Sequence, residues 1–292
     1  ERKMARVGFI GLGVMGFPMA GHLANHGHDV IVYNRTKSKV LDWLNIYKGS
    51  SAETPSVAAK NCDFLFCCVG NDDDLKDVTI GDLGSFPQMP EKSIFIDHST
   101  VSAKVSQELA LLASNSGFGF VDAPVSGGQV GAQKGLLTVM CGGEKRLFER
   151  IKPLVECYSK SCILMGKSGS GQLTKMVNQI CIAGILQGLS EGLMFSENAG
   201  LDSNRVLEVI SKGAAGSWQM ENRGTTMINN EFDFGFAVDW MRKDLGICLD
   251  EANKIGSSLP ITAIVDQYYK DVQRMGGGRW DTSSLIARLR KI

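Results

Sequence analysis

The most constraining feature of the sequence is a set of three glycines between a strand-like run and a helix-like run. Gly11, Gly13 and Gly16 keep the spacing G-x-G-x-x-G in the stretch "VGFIGLGVMGFPMAGHLANHG". The apolar residues before them are typical of a buried strand, and residues 14–26 show the periodicity of an amphipathic helix. The spacing alone is a weak signal, but between a strand and a helix it predicts the first turn of a βαβ unit.

Each glycine of this loop has its own expected part in holding a dinucleotide. Gly11 permits the tight turn, Gly13 lets the backbone approach a pyrophosphate, and Gly16 lets the helix pack against the sheet. The N-terminus of the helix adds N–H donors and a favourable dipole for the anion. The alternative is a glycine-rich turn that holds no ligand. The predicted cofactor loop comprises Gly11, Leu12, Gly13, Val14, Met15 and Gly16.

The residues at the end of the second predicted strand indicate which dinucleotide binds. Sites for NAD usually carry an Asp or Glu there, which binds the ribose hydroxyls. This sequence has Asn34, Arg35 and Thr36 instead, followed by Lys37. A guanidinium pairs well with a phosphate, and Asn and Thr side chains can donate hydrogen bonds to it. The sequence therefore favours NADP over NAD, unless Arg35 is only a solvated surface residue.

Strand-like and helix-like segments alternate over the first 165 residues. The strand candidates are "RVGFI", "DVIVYN", "DFLFCCV", "SIFID", "FGFVDA", "LLTVMC" and "CILM". The helix candidates between them are 14–26, 37–45, 102–115 and 144–156. Alternation of this kind, with strands this apolar, predicts a mostly parallel sheet that helices cover on both faces.

The pattern changes after the stretch "GKSGSG" at 166–171, which is typical of a short hinge. Residues 172–199 predict one long helix that stops at Gly200. Its expected apolar face consists of Leu173, Met176, Val177 and Ile180. Further helices are predicted from the cap Ser203 to Lys212, over 237–255, from Pro260 to 276–278, and after the cap Asp281.

These patterns predict an α/β protein of two domains. A Rossmann-type dinucleotide-binding domain is expected over residues 1–165 and an all-α domain over residues 166–292. The long helix joins the two domains. Clefts between domains are where small ligands usually bind, so residues early in this helix are candidates for the active site.

The composition is that of an ordinary soluble globular protein and argues against several functional classes. Lys plus Arg and Asp plus Glu both number 31, so no net charge points to nucleic acid or an anionic membrane surface. No apolar run reaches the roughly 18 residues that span a bilayer, and the first strand pattern begins too early for a signal peptide. The eight cysteines form no C-x-x-C pair and are expected to be reduced packing residues in a cytoplasmic protein.

A second glycine-containing segment, "DAPVSGG" at 122–128, follows an apolar strand-like run. Ser126 offers a hydroxyl, and the backbone N–H groups of Gly127 and Gly128 can converge on one anion. Because both glycines lack side chains, the segment leaves room for a small acid. The alternative is a plain turn between strands.

Four motifs follow one another along the chain: "GFIGLGVMG", "DAPVSGG", "GSGQLTKMVNQ" and "WMRKDLGICLDEA". This order resembles that of the β-hydroxyacid dehydrogenase family, and the resemblance covers essentially the whole chain. Members of that family include 3-hydroxyisobutyrate dehydrogenase, tartronate semialdehyde reductase and glyoxylate/succinic semialdehyde reductases. The resemblance implies that Ser126, Gly127 and Gly128 hold the carboxylate of the substrate. It does not select one substrate.

The resemblance also implies a catalytic lysine. Lys175 matches the general acid–base of the family, which protonates a carbonyl oxygen during reduction and deprotonates an alcohol during oxidation. Some family members place an asparagine four residues after this lysine, where this chain has Gln179. Asn178 lies three residues after it, and both amides share a helix face with Lys175. Which of the two amides contacts the substrate stays open.

Other positions are implied by the resemblance alone. Lys243 matches a lysine that lies near the nicotinamide in the family. Phe236 and Asp244 match residues that line the pocket of glyoxylate-reducing relatives. Cofactor-contacting positions at the ends of later strands match Val69, Gly70 and Thr100.

Two other constellations are not expected to be sites. Asp97, His98 and Ser99 are the residue types of a hydrolase triad, but neighbours on a strand point to opposite faces. The histidines at 22, 26 and 28 have no plausible metal-binding partners, and no metal site is expected.

The sequence thus predicts an NADP-preferring oxidoreductase that interconverts a small β-hydroxy acid and its semialdehyde. Within the same family, the alternatives are a glyoxylate/succinic semialdehyde reductase and a tartronate semialdehyde reductase. Two more distant alternatives are an imine reductase and a non-catalytic NADP-binding module, and Lys175 argues against both because such relatives usually lack the lysine. The apolar helical half predicts a homodimer or homotetramer, with a small carboxylate or aldehyde as the other partner and no nucleic acid or membrane.

Overall fold

The computed structural model describes residues 4–290 of the chain. Its strands are β1 (Arg6–Ile10), β2 (Asp29–Tyr33), β3 (Ser50–Ser51), β4 (Phe64–Cys67), β5 (Ile94–Asp97), β6 (Gly119–Asp122), β7 (Val125–Ser126), β8 (Leu137–Gly142) and β9 (Ser159–Gly166). They form one sheet in the spatial order β3-β2-β1-β4-β5-β6-β8-β7, with β9 paired to β8. All seven predicted strands are present, and the two that were not predicted, β3 and β7, have only two residues each.

The sheet is mostly parallel, as the alternation of strands and helices predicts. Strands β1 to β6 run parallel to one another. Strand β8 is antiparallel to β6 and β7 and parallel to β9. Phe64 and Phe66 belong to the buried cluster on one face of β4, and Leu65 and Cys67 belong to the cluster on the other. Burial on both faces explains why these strands are apolar throughout.

Helices lie between the strands of the first half of the chain. They are α1 (Gly16–Asn25), α2 (Lys37–Ile46), α3 (Pro55–Ala59), α4 (Asp72–Ile80), α5 (Ala103–Asn115), α6 (Gly128–Lys134) and α7 (Lys145–Val155). The four predicted helices are confirmed as α1, α2, α5 and α7. Helix α4 has Asn71 as its cap, and its first turn holds three aspartates, whose negative charge suits a helix N-terminus.

The long predicted helix is α8 (Ser170–Asn198). It begins two residues earlier than expected, so the last two residues of the presumed hinge belong to its first turn. The chain divides into two compact units, Glu1–Lys175 and Met176–Ile292, and the division falls within α8. A Rossmann-type unit is thus followed by a helical one.

The expected apolar face of α8 is wrong at two positions. Leu173 and Val177 are 37% and 61% exposed, whereas Gln172 is completely buried and Gln179 is 1% exposed. Amide side chains tolerate such burial because each has hydrogen-bond partners inside the protein. The polar face of the first turns is therefore the buried one.

The second unit is built from helices. They are α9 (Ser203–Ile210), α10 (Trp218–Ile228), α11 (Val238–Ile255), α12 (Pro260–Arg274) and α13 (Leu285–Leu289). The prediction of Ser203 as the cap of α9 is wrong, because the carboxylate of Asp202 accepts the N–H groups of the first turn. Helix α10, capped by Ser217, was not predicted. No helix in the described part of the chain is both long and apolar enough to cross a bilayer.

Candidate active site

The glycine loop after β1 has the shape that a dinucleotide requires. Gly11 has φ +96°, and a Cβ there would overlap the backbone carbonyl of Cys68. A Cβ on Gly16 would overlap the carbonyl oxygen of Gly11, so α1 packs directly against the loop. By contrast, no heavy atom lies within 4 Å of the position that a Cβ on Gly13 would take. The loop is therefore tight where it meets the protein and open where a pyrophosphate would approach, so it fits the cofactor.

Asn34 braces this loop from the end of β2. Its Oδ1 accepts a hydrogen bond from the backbone N–H of Leu12 at 2.9 Å, and its Nδ2 donates to the carbonyl of Thr36 at 3.1 Å. The sequence predicted that Asn34 donates to a phosphate, but both ends of its amide bind the protein itself. Its side chain therefore joins the glycine loop to the turn that carries Arg35.

Arg35 projects from that turn into solvent. Its side chain is 87% exposed, and Nη1 lies 3.5 Å from Oδ1 of Asp74 in the first turn of α4. Lys37 forms a similarly exposed ion pair with Glu53. Exposed pairs of this kind hold side chains only weakly, so the guanidinium can reorient toward an anionic ligand.

The ends of β4 and β5 are tied to each other by Ser99, which the sequence analysis did not single out as a site residue. Ser99 Oγ accepts the N–H of Val69 at 2.9 Å, and the N–H of Ser99 binds Oδ1 of Asp97 at 2.9 Å. Asp97 is completely buried, and this burial raises its pKa to about 7. The predicted cofactor positions Val69, Gly70 and Thr100 thus lie at strand ends that hydrogen bonds hold in place.

Asp122, the first residue of the segment 122–128, holds the start of α8. Its Oδ1 accepts the N–H of Gly169 at 2.7 Å, and its Oδ2 accepts the N–H of Gln172 at 3.0 Å. A Cβ on Gly142 would come within 2.6 Å of this carboxylate, so the glycine is required for the close approach. Burial raises the pKa of Asp122 to about 6, while the hydrogen bonds from Gly169 and Gln172 lower it.

The side chain of Gln172 extends the same attachment. Its Nε2 donates to the carbonyl oxygen of Ser99 at 2.8 Å, and its Oε1 accepts the N–H of Val101 at 3.2 Å. The first turn of α8 is therefore fixed to the ends of both β5 and β6. Lys175, one turn further along α8, is only 8% exposed.

The Ser-Gly-Gly part of the segment has a backbone that only glycine adopts easily. Gly127 has φ +131° and Gly128 has φ +61°, and nothing lies within 4 Å of a Cβ on Gly128. Both glycines are exposed, and the half-buried Ser126 ends β7. The absence of side chains leaves this backbone accessible to a small ligand.

His98 secures the middle of the same segment. Because the carbonyl oxygen of Ala123 can only accept, Nδ1 of His98 donates to it at 2.6 Å, and Nε2 then accepts from the hydroxyl of Tyr158 at 2.8 Å. The ring stacks on Phe66 with centroids 5.8 Å apart. Burial lowers the pKa of His98 to about 4. His98 therefore has a structural task in the described fold and does not form a hydrolase triad.

In the second unit, the structure brings four predicted site residues together. Asn178 Nδ2 donates to Gln179 Oε1 at 2.9 Å, and Gln179 Nε2 donates to Asp244 Oδ2 at 2.7 Å. The Lys243 ammonium lies 3.0 Å from Asp244 Oδ1. Phe236, a further predicted site residue, is held elsewhere in this unit, where its N–H donates to the buried Asp281 at 2.9 Å. Among the residues that the structure describes, no three His, Cys, Asp or Glu side chains form a metal-binding group.

Comparison with known protein families gives two matches. The family model for the NAD binding domain of 6-phosphogluconate dehydrogenase matches residues 6–166. The family model described as NAD-binding of NADP-dependent 3-hydroxyisobutyrate dehydrogenase matches residues 169–289.

Individual proteins are similar over nearly the whole chain. An uncharacterized oxidoreductase of Shewanella frigidimarina is 59% identical over 288 residues, which are 99% of this chain and 99% of that protein. The 2-hydroxy-3-oxopropionate reductase of Escherichia coli is 35% identical over 284 residues, 97% of each chain. The structure of the 3-hydroxyisobutyrate dehydrogenase of Mycobacterium tuberculosis with L-serine has a TM-score of 0.88 and 26% identity, and the match covers 99% of this chain and 100% of that one.

Proposed function

Because the chain belongs to the β-hydroxyacid dehydrogenase family of NAD(P)-dependent oxidoreductases, we propose that it interconverts a small β-hydroxy acid and its semialdehyde and prefers NADP. The observation that carries this proposal is the bond between Asp122 and the first turn of α8. It connects the segment proposed to hold the substrate with the helix that bears the proposed acid–base. The similar M. tuberculosis enzyme was solved with L-serine, which is itself a small β-hydroxy acid.

The substrate's carboxylate is assigned to Ser126, Gly127 and Gly128. The hydroxyl of Ser126 and the backbone N–H groups of the two glycines are donors of the kind that bind anions. The left-handed φ angles of both glycines turn the backbone in a way that other residues adopt only with strain. Nothing lies within 4 Å of a Cβ on Gly128, so the backbone at this position is open to the carboxylate of a small acid.

Lys175 is assigned the proton transfer. In reduction, Nζ gives its proton to the carbonyl oxygen of the semialdehyde, and in oxidation it takes the proton of the hydroxyl group. Because Lys175 is only 8% exposed, water screens its charge weakly, which strengthens the attraction to negative charge that develops on the oxygen. The dinucleotide, when bound, supplies or accepts the hydride.

The preference for NADP rests on Arg35. The turn after β2 has no carboxylate that could bind both ribose hydroxyls, and it presents an 87% exposed guanidinium. The loop Gly11–Gly16 is assigned to the pyrophosphate, and the ends of β4 and β5 are assigned to the nicotinamide side. The proposed role of Lys243 rests on the family resemblance alone. Thr36 is the neighbouring exposed hydroxyl for the same phosphate.

A second candidate substrate has support from one relative. Tartronate semialdehyde is 2-hydroxy-3-oxopropionate, the substrate in the name of the E. coli enzyme that is 35% identical. It carries the same carboxylate and aldehyde groups as the semialdehyde of 3-hydroxyisobutyrate, with a hydroxyl in place of a methyl group. A site that hydrogen-bonds this hydroxyl would reject the methyl analogue, so the two substrates are distinguishable by turnover.

We also propose that the chain forms a homodimer or homotetramer through the exposed face of α8. Glycines at 184, 188 and 192 repeat every four residues, and nothing lies within 4 Å of a Cβ on any of them. Val177 and Phe195, 61% and 74% exposed, continue the same face at its two ends. Small residues let a second helix approach closely, and exposed apolar patches of this kind mark protein interfaces.

A cytoplasmic location is proposed from the cysteines. All eight are free thiols, although Sγ of Cys141 and Sγ of Cys162 lie 3.6 Å apart. Two thiols at this distance are expected to stay reduced in a reducing compartment such as the cytoplasm.

The test is the oxidation of NADPH and NADH with four substrates: glyoxylate, succinic semialdehyde, tartronate semialdehyde and methylmalonate semialdehyde. Faster turnover with NADPH and its loss in Lys175→Ala support the proposal, and the relative kcat/KM values rank the substrates. Lys167→Ala, which removes an exposed lysine just before the same helix, is the matched control and should retain activity. Bound NADPH with no turnover of any substrate would contradict the proposed reaction.

A further inference from the structure

His22, near the end of α1, binds the helix that follows the proposed substrate segment. Its Nε2 lies 3.0 Å from the carbonyl oxygen of Ala132 and 3.1 Å from that of Gln133, both near the C-terminal end of α6. Carbonyl oxygens can only accept hydrogen bonds, so Nε2 carries a proton and donates to this pair. One imidazole N–H therefore joins α1 to α6.

The carbonyl groups that His22 binds belong to the end of a helix, where the backbone leaves acceptors over. The last four carbonyl oxygens of a helix have no N–H partner four residues further along. In α6, the N–H of Gly135 reaches back to the carbonyl oxygen of Ala132 at 3.3 Å. Gly135 has φ +68°, and a Cβ there would lie 3.4 Å from Cε1 of His22. The end of α6 is thus closed by its own backbone together with a side chain of α1.

Apolar packing brings the same two helices together but does not fix their relative position. Ala132 is completely buried and belongs to the same core cluster as Met19 and Leu23 of α1. Burial of apolar surface is non-directional, whereas a hydrogen bond weakens steeply when its angle or length changes. The bonds of His22 therefore determine where the end of α6 lies along α1.

The other ends of these two helices are the proposed ligand sites. Helix α1 begins at Gly16, the last glycine of the cofactor loop. Helix α6 begins at Gly128, and the N–H of Gly131 donates to the carbonyl oxygen of the cap Gly127 at 3.0 Å. Because α6 has only seven residues, it is about 10 Å long. A displacement of its C-terminal end therefore moves both glycines of the substrate segment.

We propose that His22 is a positioning residue, which fixes α6 against α1 and so holds the backbone of residues 126–128 in place for the substrate's carboxylate. This inference rests on the proposed function, which assigns the carboxylate to that segment. His22 acts through α6, at the end of α1 that is remote from the cofactor loop. The cofactor loop has its own brace, because Asn34 accepts the N–H of Leu12.

This role predicts a specific kinetic pattern. The carboxylate of the substrate takes no part in hydride or proton transfer, so the segment that holds it binds the ground state and the transition state about equally. Loss of such uniform binding raises KM and leaves kcat unchanged. The KM for NADPH should also stay constant, because Asn34 and not His22 braces the cofactor loop.

The test compares His22→Leu with His22→Gln. Leucine removes the donor, whereas Nε2 of a glutamine can take the place of the imidazole Nε2. In His22→Leu, KM for the best semialdehyde substrate should rise about 2- to 10-fold, the effect of one hydrogen bond. Both kcat and KM for NADPH should change less than about twofold. His22→Gln should restore the KM of the wild type, and a failure to restore it would show that the bond is not responsible.

His26→Leu is the matched control. His26 directly follows α1, is exposed, and donates from Nδ1 to the carbonyl oxygen of His22 at 2.7 Å. This substitution removes the same kind of ring and breaks no bond between the two helices, so KM for the semialdehyde should stay at the wild-type value. An equal rise of KM in His22→Leu and His26→Leu overturns the inference, as does an unchanged KM in His22→Leu.

Hydrogen–deuterium exchange tests the attachment of α6 without turnover. In His22→Leu, the amides of residues 131–136 should exchange about 2- to 10-fold faster, because one bond fewer opposes local opening. The amides of α5 serve as the internal reference and should keep their rate. Faster exchange in a protein that turns over none of the four substrates would refute the reaction and support the attachment. Exchange at the wild-type rate overturns the inference even in an active enzyme.

Discussion

The carboxylate of Asp122 accepts the backbone N–H of Gly169 at 2.7 Å, and this bond attaches the start of α8 to the end of β6. Asp122 begins the segment whose Ser126, Gly127 and Gly128 are proposed to bind the substrate's carboxylate. Gly169 directly precedes the helix that carries Lys175. The distance between the proposed anion site and the proposed acid–base therefore depends on this buried carboxylate.

Asp122→Asn should lower the free energy of unfolding and kcat together. An amide can accept one of the two N–H groups through its oxygen but turns an NH₂ group toward the other, which leaves a buried donor unpaired. The expected loss of stability is about 1–3 kcal/mol, measurable by urea unfolding. Asp202→Asn is the control, because Asp202 caps α9 in the second unit and Asn is an equally good cap. Unchanged kcat in Asp122→Asn would show that the bond does not set the active-site geometry.

Arg35→Asp should invert the preference for NADP. Loss of a charged hydrogen-bond donor to the 2′-phosphate is expected to lower the ratio of kcat/KM for NADPH to that for NADH about 10- to 100-fold. Both values are obtained from initial rates with one substrate. An unchanged ratio would place Arg35 away from the phosphate.

Asp74→Asn should act in the opposite direction. Asp74 is the ion-pair partner of Arg35 at 3.5 Å, so it competes with the 2′-phosphate for the guanidinium. Exposed pairs contribute about 0.2–1 kcal/mol, so KM for NADPH should fall about 1.4- to fivefold while KM for NADH stays constant. Asp73→Asn makes the same charge change on the same helical turn without this partner. An equal effect of both variants would indicate only a general change of surface charge.

Asp97→Asn should flatten the dependence of stability on pH. Burial raises the pKa of Asp97 to about 7, and the charges of Asp122 and Asp72 act in the same direction. The folded protein then binds a proton that the unfolded chain releases near pH 4, so this residue stabilises the fold most below pH 4 and progressively less up to about pH 7. Its Oδ2 has no hydrogen-bond partner, so an amide loses no accepted bond there.

The measurement is urea unfolding at several pH values between 4 and 7.5. The free energy of unfolding of the wild type should fall relative to that of Asp97→Asn as the pH rises through this range. Asp73→Asn, which removes an exposed carboxylate, is the control and should run parallel to the wild type. Parallel curves for Asp97→Asn as well would contradict a raised pKa.

Phe195→Glu should dissociate the proposed oligomer. Phe195 is 74% exposed on the same face of α8 as the glycines at 188 and 192. A buried, unpaired charge at an interface is unfavourable, so the mass in light scattering should fall toward the 31.6 kDa of one chain. Leu111→Glu on α5, at a residue that is 64% exposed, is the control and should leave the mass unchanged. A wild type of one-chain mass would refute the oligomer itself.

Features that depend on a local pattern of residues were predictable from the sequence. The Gly11, Gly13 and Gly16 spacing predicted a turn that the structure builds as expected, because tight turns and close approaches require residues without a side chain. Strand–helix alternation predicted the parallel sheet, since strands that are buried on both faces must be apolar throughout. Short elements such as β3 and α3 lacked enough residues to show a period.

The partner that each polar side chain binds was not predictable from the sequence, because it depends on contacts made in the folded protein. Asn34 binds Leu12, 22 residues away, so it braces the cofactor loop, although its position suggested a phosphate ligand. Gln179 binds Asp244 across 65 residues, and this contact makes the polar face of α8 the buried one. The bond between Asp122 and Gly169 spans 47 residues. The periodicity of a sequence shows which side of a helix or strand a residue lies on. It does not show which distant strand end or helix turn comes close to that residue in the folded chain, and hydrogen bonds of this kind depend on that.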